Sequence, residues 1–89
     1  MRRKVTRVID GDTFEVKTKI GDTNRVRIAG YNAPEINEHG GKKAAKKLKY
    51  LIEGENVSLV PKARSYGHVV ADVRISRRKV SKIMKNNGS

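Results

Sequence analysis

Cysteine and tryptophan are absent from this sequence of 89 residues, and phenylalanine occurs once, as Phe14. Without cysteine there is no disulfide, no thiolate nucleophile and no cysteine-based zinc site. The two histidines, His39 and His68, are too few for a histidine-rich metal centre, so any bound metal must be held by oxygen. The remaining aromatics are Tyr31, Tyr50 and Tyr66, fewer rings than a base-stacking platform needs. The core must therefore come from Val, Ile, Leu and Ala. No run of about 18 apolar residues occurs, and the basic start Met1-Arg2-Arg3-Lys4 is not followed by an apolar signal core. The sequence reads as soluble, with cytoplasmic and secreted locations both open.

Acidic residues are also scarce. Nine Asp and Glu stand against 21 Lys and Arg, a formal net charge of +12. Such a density of one sign repels itself unless a polyanion is the usual partner, and each phosphate neutralised releases a counterion. DNA or RNA is the leading partner, with no membrane and a monomeric chain expected. A ribosome-like structural role, an anionic membrane and a solubility adaptation are the alternatives. With 36% hydrophobic residues, the chain supports one compact core and is expected to form a single domain over residues 1–89.

The clearest pattern is the alternation of Thr13–Ile20, with Phe14, Val16, Thr18 and Ile20 on one face and Glu15, Lys17 and Lys19 on the other. A β-branched run at residues 4–9 precedes it, joined through the hairpin turn Asp10-Gly11-Asp12. Gly21-Asp22-Thr23-Asn24 turns the chain into a third strand at 25–31. After Pro34 the period changes, and Ala44, Ala45, Leu48, Leu51 and Ile52 form a helical stripe that Gly54 ends. Strands at 56–62 and 69–75 follow, joined by Ser65-Tyr66-Gly67, with Val57, Leu59, Val69, Ala71, Val73 and Ile75 inward. The basic turn Arg77-Arg78-Lys79 leads into a short amphipathic segment, Val80–Lys85. This order predicts a mainly β (α+β) fold: a five-stranded OB-fold barrel with a helix between strands 3 and 4 and a short C-terminal helix.

Four of the nine acids, Asp10, Asp12, Glu35 and Glu38, flank strand ends that such a barrel is able to gather. Gathered carboxylates want a cation between them, and Ca²⁺ or Mg²⁺ prefers hard oxygen ligands. Asp12 and Asn32 are the candidate metal ligands. On spacing alone, a plain hairpin at Asp10-Gly11-Asp12 and a plain turn at Asn32-Ala33-Pro34 remain open.

Val8-Ile9-Asp10-Gly11-Asp12-Thr13 and Val26-Arg27-Ile28-Ala29-Gly30-Tyr31-Asn32-Ala33-Pro34-Glu35 resemble the first two signature stretches of the staphylococcal nuclease (thermonuclease) family. Tyr66-Gly67-His68-Val69-Val70-Ala71 is similar to the third, where Tyr-Gly-Arg precedes a strand. The likeness covers nearly the whole chain, except that the family's last helix has no counterpart, as in a short or truncated member. It implies a Ca²⁺-dependent phosphodiesterase, with Mg²⁺ as the alternative ion. Asp12 and Asn32 would bind the metal, Arg27 would meet the phosphate, and Glu35 would orient or deprotonate water. The family has Asp where Asn32 stands, so one ligand charge is lost and weaker metal binding is expected. It has Arg where His68 stands, and imidazole lacks the planar fork that grips two phosphate oxygens. His68 is then either a general acid or a turn histidine without catalytic duty. Expected nucleic-acid contacts are Arg27, Tyr66, Lys42, Lys43 and Arg64.

The leading reading is a metal-dependent phosphodiesterase that hydrolyses DNA or RNA with little sequence specificity, with full or reduced activity. The alternative is a catalytically impaired OB-fold module that binds nucleic acid without turnover. A third reading is a protein-interaction or ribosome-associated domain whose acids are only turn residues.

Overall fold

The computed structural model describes residues 1–65 and 67–85. The elements in order are β1 (Arg2–Asp10), β2 (Thr13–Ile20), β3 (Thr23–Ile28), α1 (Gly41–Ile52), β4 (Asn56–Ser65), β5 (His68–Ile75), β6 (Arg78–Lys79) and α2 (Val80–Lys85). Hydrogen bonding runs β3-β2-β1-β4-β5-β6, and β3 also pairs with β5. That pairing is parallel, with Val26 opposite Val69, Arg27 opposite Val70 and Ile28 opposite Ala71. The other pairs are antiparallel, so five strands close into a mixed barrel of OB type, as the order of the sequence pattern predicts.

Closure requires the strands to bend, and breaks in register supply the bends. The β1–β2 ladder shifts between Val5 and Arg7 and again between Val8 and Asp10. In β4, Pro61 pairs with Ala71 and Ala63 with Val70, which leaves Lys62 as the extra residue of a bulge. Proline lacks the N–H that a regular ladder would use, and it falls at this break. The alternation in β5 sends Val69, Ala71 and Val73 inward, where they meet Val5, Phe14, Val16, Val26, Ile28, Val57 and Leu59. Each aliphatic side chain buried this fully contributes about 1.5–3 kcal/mol.

Helix α1 lays Leu48 and Ile52 on this core. Its far end is tied to β1 by Glu53, whose Oε2 accepts the Val8 N–H at 3.0 Å. Helix α2 buries Val80, Ser81 and Met84, and Lys47 Nζ of α1 donates to the Ile83 carbonyl at 3.0 Å.

Several details differ from the sequence pattern. β3 begins earlier and ends at Ile28 rather than 31, because Gly30 takes a positive φ of 81° and turns the chain away. β4 continues to Ser65 as a paired but solvent-exposed strand. Thr18 is exposed rather than inward, since the β2–β3 register is irregular between Glu15 and Ile20. Ile75 is partly buried against the core, and the basic turn at 77–79 includes the two-residue strand β6.

Candidate active site

The β1–β2 turn builds the first half of the site. Asp10 Oδ1 accepts the Asp12 N–H at 3.1 Å, the local bond by which aspartate stabilises a tight turn. Gly11 is buried at the centre of this turn, and a Cβ placed on it would lie 2.6 Å from the Cβ atoms of both Ala33 and Ala44. Only glycine lets the turn press this closely on the segment before Pro34 and on α1. Across that contact, the buried Asp12 accepts the Ala33 N–H through Oδ2 at 3.1 Å and the Thr13 hydroxyl through Oδ1 at 2.9 Å. The Asp12 carbonyl accepts the Ile28 N–H at 2.8 Å, which fixes the turn against the end of β3. The hairpin turn and the Asn32–Pro34 region therefore share one place.

Arg27 and Asn32 supply the second half. Arg27 projects outward from β3 between the buried Val26 and Ile28. Its Nη2 donates to Asn32 Oδ1 at 2.8 Å and lies 3.6 Å from Asp12 Oδ2. The guanidinium thus sits between the two oxygens proposed as metal ligands. Its side chain is 41% exposed, and with five N–H donors it retains several for an anion in solvent.

The two turn carboxylates are pushed apart in acidity. Burial raises the Asp10 carboxyl above its ordinary value, and its side-chain contact with Asp12 raises it further. Burial also acts upward on Asp12, but hydrogen bonds from Asp10, the Ala33 N–H and Thr13, with the Arg27 charge, outweigh it and hold Asp12 below its ordinary value. Burial, reinforced by Asp12, raises the Tyr31 hydroxyl. By linkage, ionised Asp12 stabilises the fold above the unfolded carboxylate range, and this is lost as pH falls through its lowered folded value. Asp10 has the opposite sign, because its ionised form is disfavoured in the fold. Asp10→Asn keeps an oxygen for the Asp12 N–H and removes the disfavoured charge. It is expected to raise Tm by about 2–4 °C at neutral pH, with the gain vanishing in acid where Asp10 is already protonated. Thermal denaturation at neutral pH and in acid checks this, and a Tm that falls at neutral pH refutes it.

The remaining candidate residues are more dispersed. Glu35 is exposed, its N–H donates to Glu38 Oε1 at 2.8 Å, and no hydrogen bond joins it to the cluster among the described residues. The acids named in the sequence thus form two pairs, Asp10 with Asp12 and Glu35 with Glu38. A second glycine shapes this rim, since a Cβ on Gly41 would overlap the Glu35 carbonyl oxygen. Lys42 and Lys43 are exposed at the start of α1 and line a cleft with Ile36, Glu38 and His39. Arg64 is exposed on β4, pairing with the exposed Asp22 at 2.8 Å and donating to the Ile20 carbonyl at 3.0 Å. His68 opens β5 and borders a shallow cleft with Asp22, Thr23, Arg64, Ser65 and Gly67. It precedes by two residues Val70, which lies opposite Arg27. Tyr66 and residues 86–89 lie outside the described residues.

Two features of the site have no side-chain signature in the sequence, the Ala33 N–H and the close approach at Gly11, and the partial burial of Tyr31 is a third that its residue type does not reveal. Tyr31 borders a cleft of about 450 Å³ with Pro34, Gly40, Lys43, Ala44, Lys47 and Met84. As a metal site, Asp12 and Asn32 present hard oxygens of the right kind, but the Arg27 guanidinium lies between them, so an ion shares both oxygens only if Arg27 moves aside. Among the described residues no three His, Asp or Glu side chains gather, so the protein offers only part of a coordination shell. No helix among those residues is long and apolar enough to cross a membrane.

Fold and site together define a small basic β-barrel with an Asp–Arg–Asn cluster where its first hairpin turn meets the end of β3. Two curated relatives are similar to this chain. The chain is 31% identical over 86 residues to an uncharacterized endonuclease of Haemophilus influenzae, covering 96% of this chain and 48% of that protein. It is 32% identical over 71 residues to an uncharacterized endonuclease of Escherichia coli, covering 79% of this chain and 46% of that protein. The chain spans about half the length of the curated relatives it matches. No protein-family model matches it.

Proposed function

We propose that this barrel is a metal-dependent phosphodiesterase that hydrolyses DNA or RNA with little sequence specificity, in the manner of the staphylococcal nuclease family that its motifs resemble. The observation that carries the reading is the Arg27 guanidinium held between Asn32 Oδ1 and Asp12 Oδ2 with its outer edge in solvent. The names of the two relatives agree with it.

Asp12 and Asn32 are the residues that would hold Ca²⁺ or Mg²⁺, and when bound there the ion would supply Lewis-acid polarisation of a phosphoryl oxygen. Arg27 binds two phosphate oxygens with its planar fork and stabilises the charge that grows on them in the transition state. Asn32 orients that fork, and Ala33 and Thr13 orient Asp12. Glu35, exposed at the rim, accepts the proton of the attacking water. Lys42 and Lys43 attract the polyanion, and the cleft beside Tyr31 receives the neighbouring nucleoside.

Incubating the protein with labelled single-stranded DNA and RNA in Ca²⁺, Mg²⁺ or EDTA tests this directly. Cleavage that EDTA stops, and that falls by about 10²-fold in Glu35→Ala, is the expected result. Cleavage that survives both treatments refutes it. Asn32 Oδ1 already serves the Arg27 guanidinium, and this favours the second reading, a barrel that binds nucleic acid without turnover. Salt-sensitive binding with no cleavage in any metal would establish that alternative.

A further inference from the structure

A dense group of cations lies outside this cluster. Arg74, Arg77, Arg78, Lys79 and Lys82, with Ile83, line a cleft of about 360 Å³ formed by β5, β6 and α2. Two local features cost stability there, and little compensates them. Arg74 lies directly opposite Lys79 in the β5–β6 ladder, a like-charge cross-strand pair that repels. The two-residue turn between these strands places both Ser76 (φ 49°) and Arg77 (φ 68°) in the left-handed region, where Asn-Gly would sit without strain. Asp72, 3.8 Å from Lys79, is the one carboxylate that pairs with these five cations among the described residues. Strain and repulsion that persist together at one cleft point to a ligand that repays them, and five cations specify a polyanion.

We propose that this cleft seats the phosphodiester backbone of nucleic acid, as an anchoring site separate from the Asp12–Arg27–Asn32 cluster. The proposal deepens the phosphodiesterase reading by giving the substrate a second hold, and it rests on that reading for the identity of the partner. Helix α2 links the two regions. Its Ser81 packs near Gly30 and its Met84 borders the Tyr31 cleft, while Lys82 and Ile83 face the basic one. The Lys47 bond to the Ile83 carbonyl holds α2 in that position. A strand bound at Arg27 therefore has a second row of cations on the other side of one short helix.

The test measures fluorescence anisotropy of a labelled oligonucleotide of about 20 nucleotides across a salt series in EDTA, using the full chain. The triple variant Arg74→Gln/Arg77→Gly/Lys82→Gln is expected to weaken binding at least tenfold and to reduce the slope of log affinity against log salt by about 2–3. The control, Lys4→Gln/Lys17→Gln/Lys19→Gln, removes the same charge from exposed positions of β1 and β2 and is expected to change the slope by less than about 1. Arg77→Gly alone separates function from folding. Relief of the turn is expected to raise Tm by about 2–4 °C while affinity falls, whereas a purely structural role moves the two in the same direction. Equal slopes for the two triple variants overturn the proposal. So does loss of binding to phosphatidylserine vesicles with oligonucleotide binding unchanged. Absence of cleavage in every metal would refute the phosphodiesterase reading and leave these binding measurements intact. Normal cleavage with an unaltered slope would refute the anchoring site alone.

Discussion

Arg27→Lys is expected to lower the single-turnover cleavage rate by about 10²–10³-fold while the barrel stays folded. Lysine keeps the charge, so the loss isolates the planar fork. In the native chain the guanidinium uses Nη2 toward Asn32 Oδ1 at 2.8 Å and Asp12 Oδ2 at 3.6 Å, and keeps other N–H groups for a phosphate. An ammonium is one compact centre and cannot hold both protein oxygens while meeting two phosphate oxygens in a plane. Because charge grows on those oxygens in the transition state, the deficit falls on kcat more than on KM. Stability should change little, since Asp12 keeps its bonds to the Ala33 N–H and the Thr13 hydroxyl. The measurement is cleavage of a labelled oligonucleotide with enzyme in excess, alongside circular dichroism and Tm. A lysine variant as fast as the native protein would remove Arg27 from the chemistry.

That this cluster exists was partly legible in the chain itself. The alternation of Thr13–Ile20 and the helical stripe at Ala44, Leu48 and Ile52 are strong periodic signals, and both elements formed where the pattern put them. The parallel β3–β5 pairing that closes the barrel leaves no local signal and followed only from strand order. Strand ends were misjudged where pairing, rather than burial, decides. Arg2 and Arg3 pair with Ser58 and Val57, and Ala63, Arg64 and Ser65 pair with β5 while exposed, so hydropathy could not find them. In the site, the convergence of Asp12, Arg27 and Asn32 was readable from the order of the motifs. The Ala33 N–H that grips Asp12 was not, because a backbone donor has no residue type, and neither was the contact that forbids a side chain at Gly11. Arg64, expected at nucleic acid, also pairs with Asp22 and donates to the Ile20 carbonyl, contacts that residue type alone does not reveal.

His68→Arg is expected to raise the cleavage rate by about 10²-fold, the counterpart of losing one transition-state donor. The geometry gives the reason. Residues 68 and 70 of β5 share its outer face, since Val69 and Ala71 point into the core, and Val70 lies opposite Arg27. Two residues along a strand cover roughly 6.6 Å, so position 68 lies level with Arg25, that distance along from Arg27 on the side away from Asp12. A side chain as long as arginine extends from there toward the same phosphate, and its charge does not depend on pH as imidazole's does. Asp22 is a possible trap for the new guanidinium, but it already pairs with Arg64 at 2.8 Å. The gain should appear in kcat and require Glu35 and Arg27, so that His68→Arg combined with Arg27→Lys recovers only part of it. Parallel rate measurements of the single and double variants decide the matter. A single variant no faster than the native chain would mean that a cation at position 68 does not limit cleavage by this barrel.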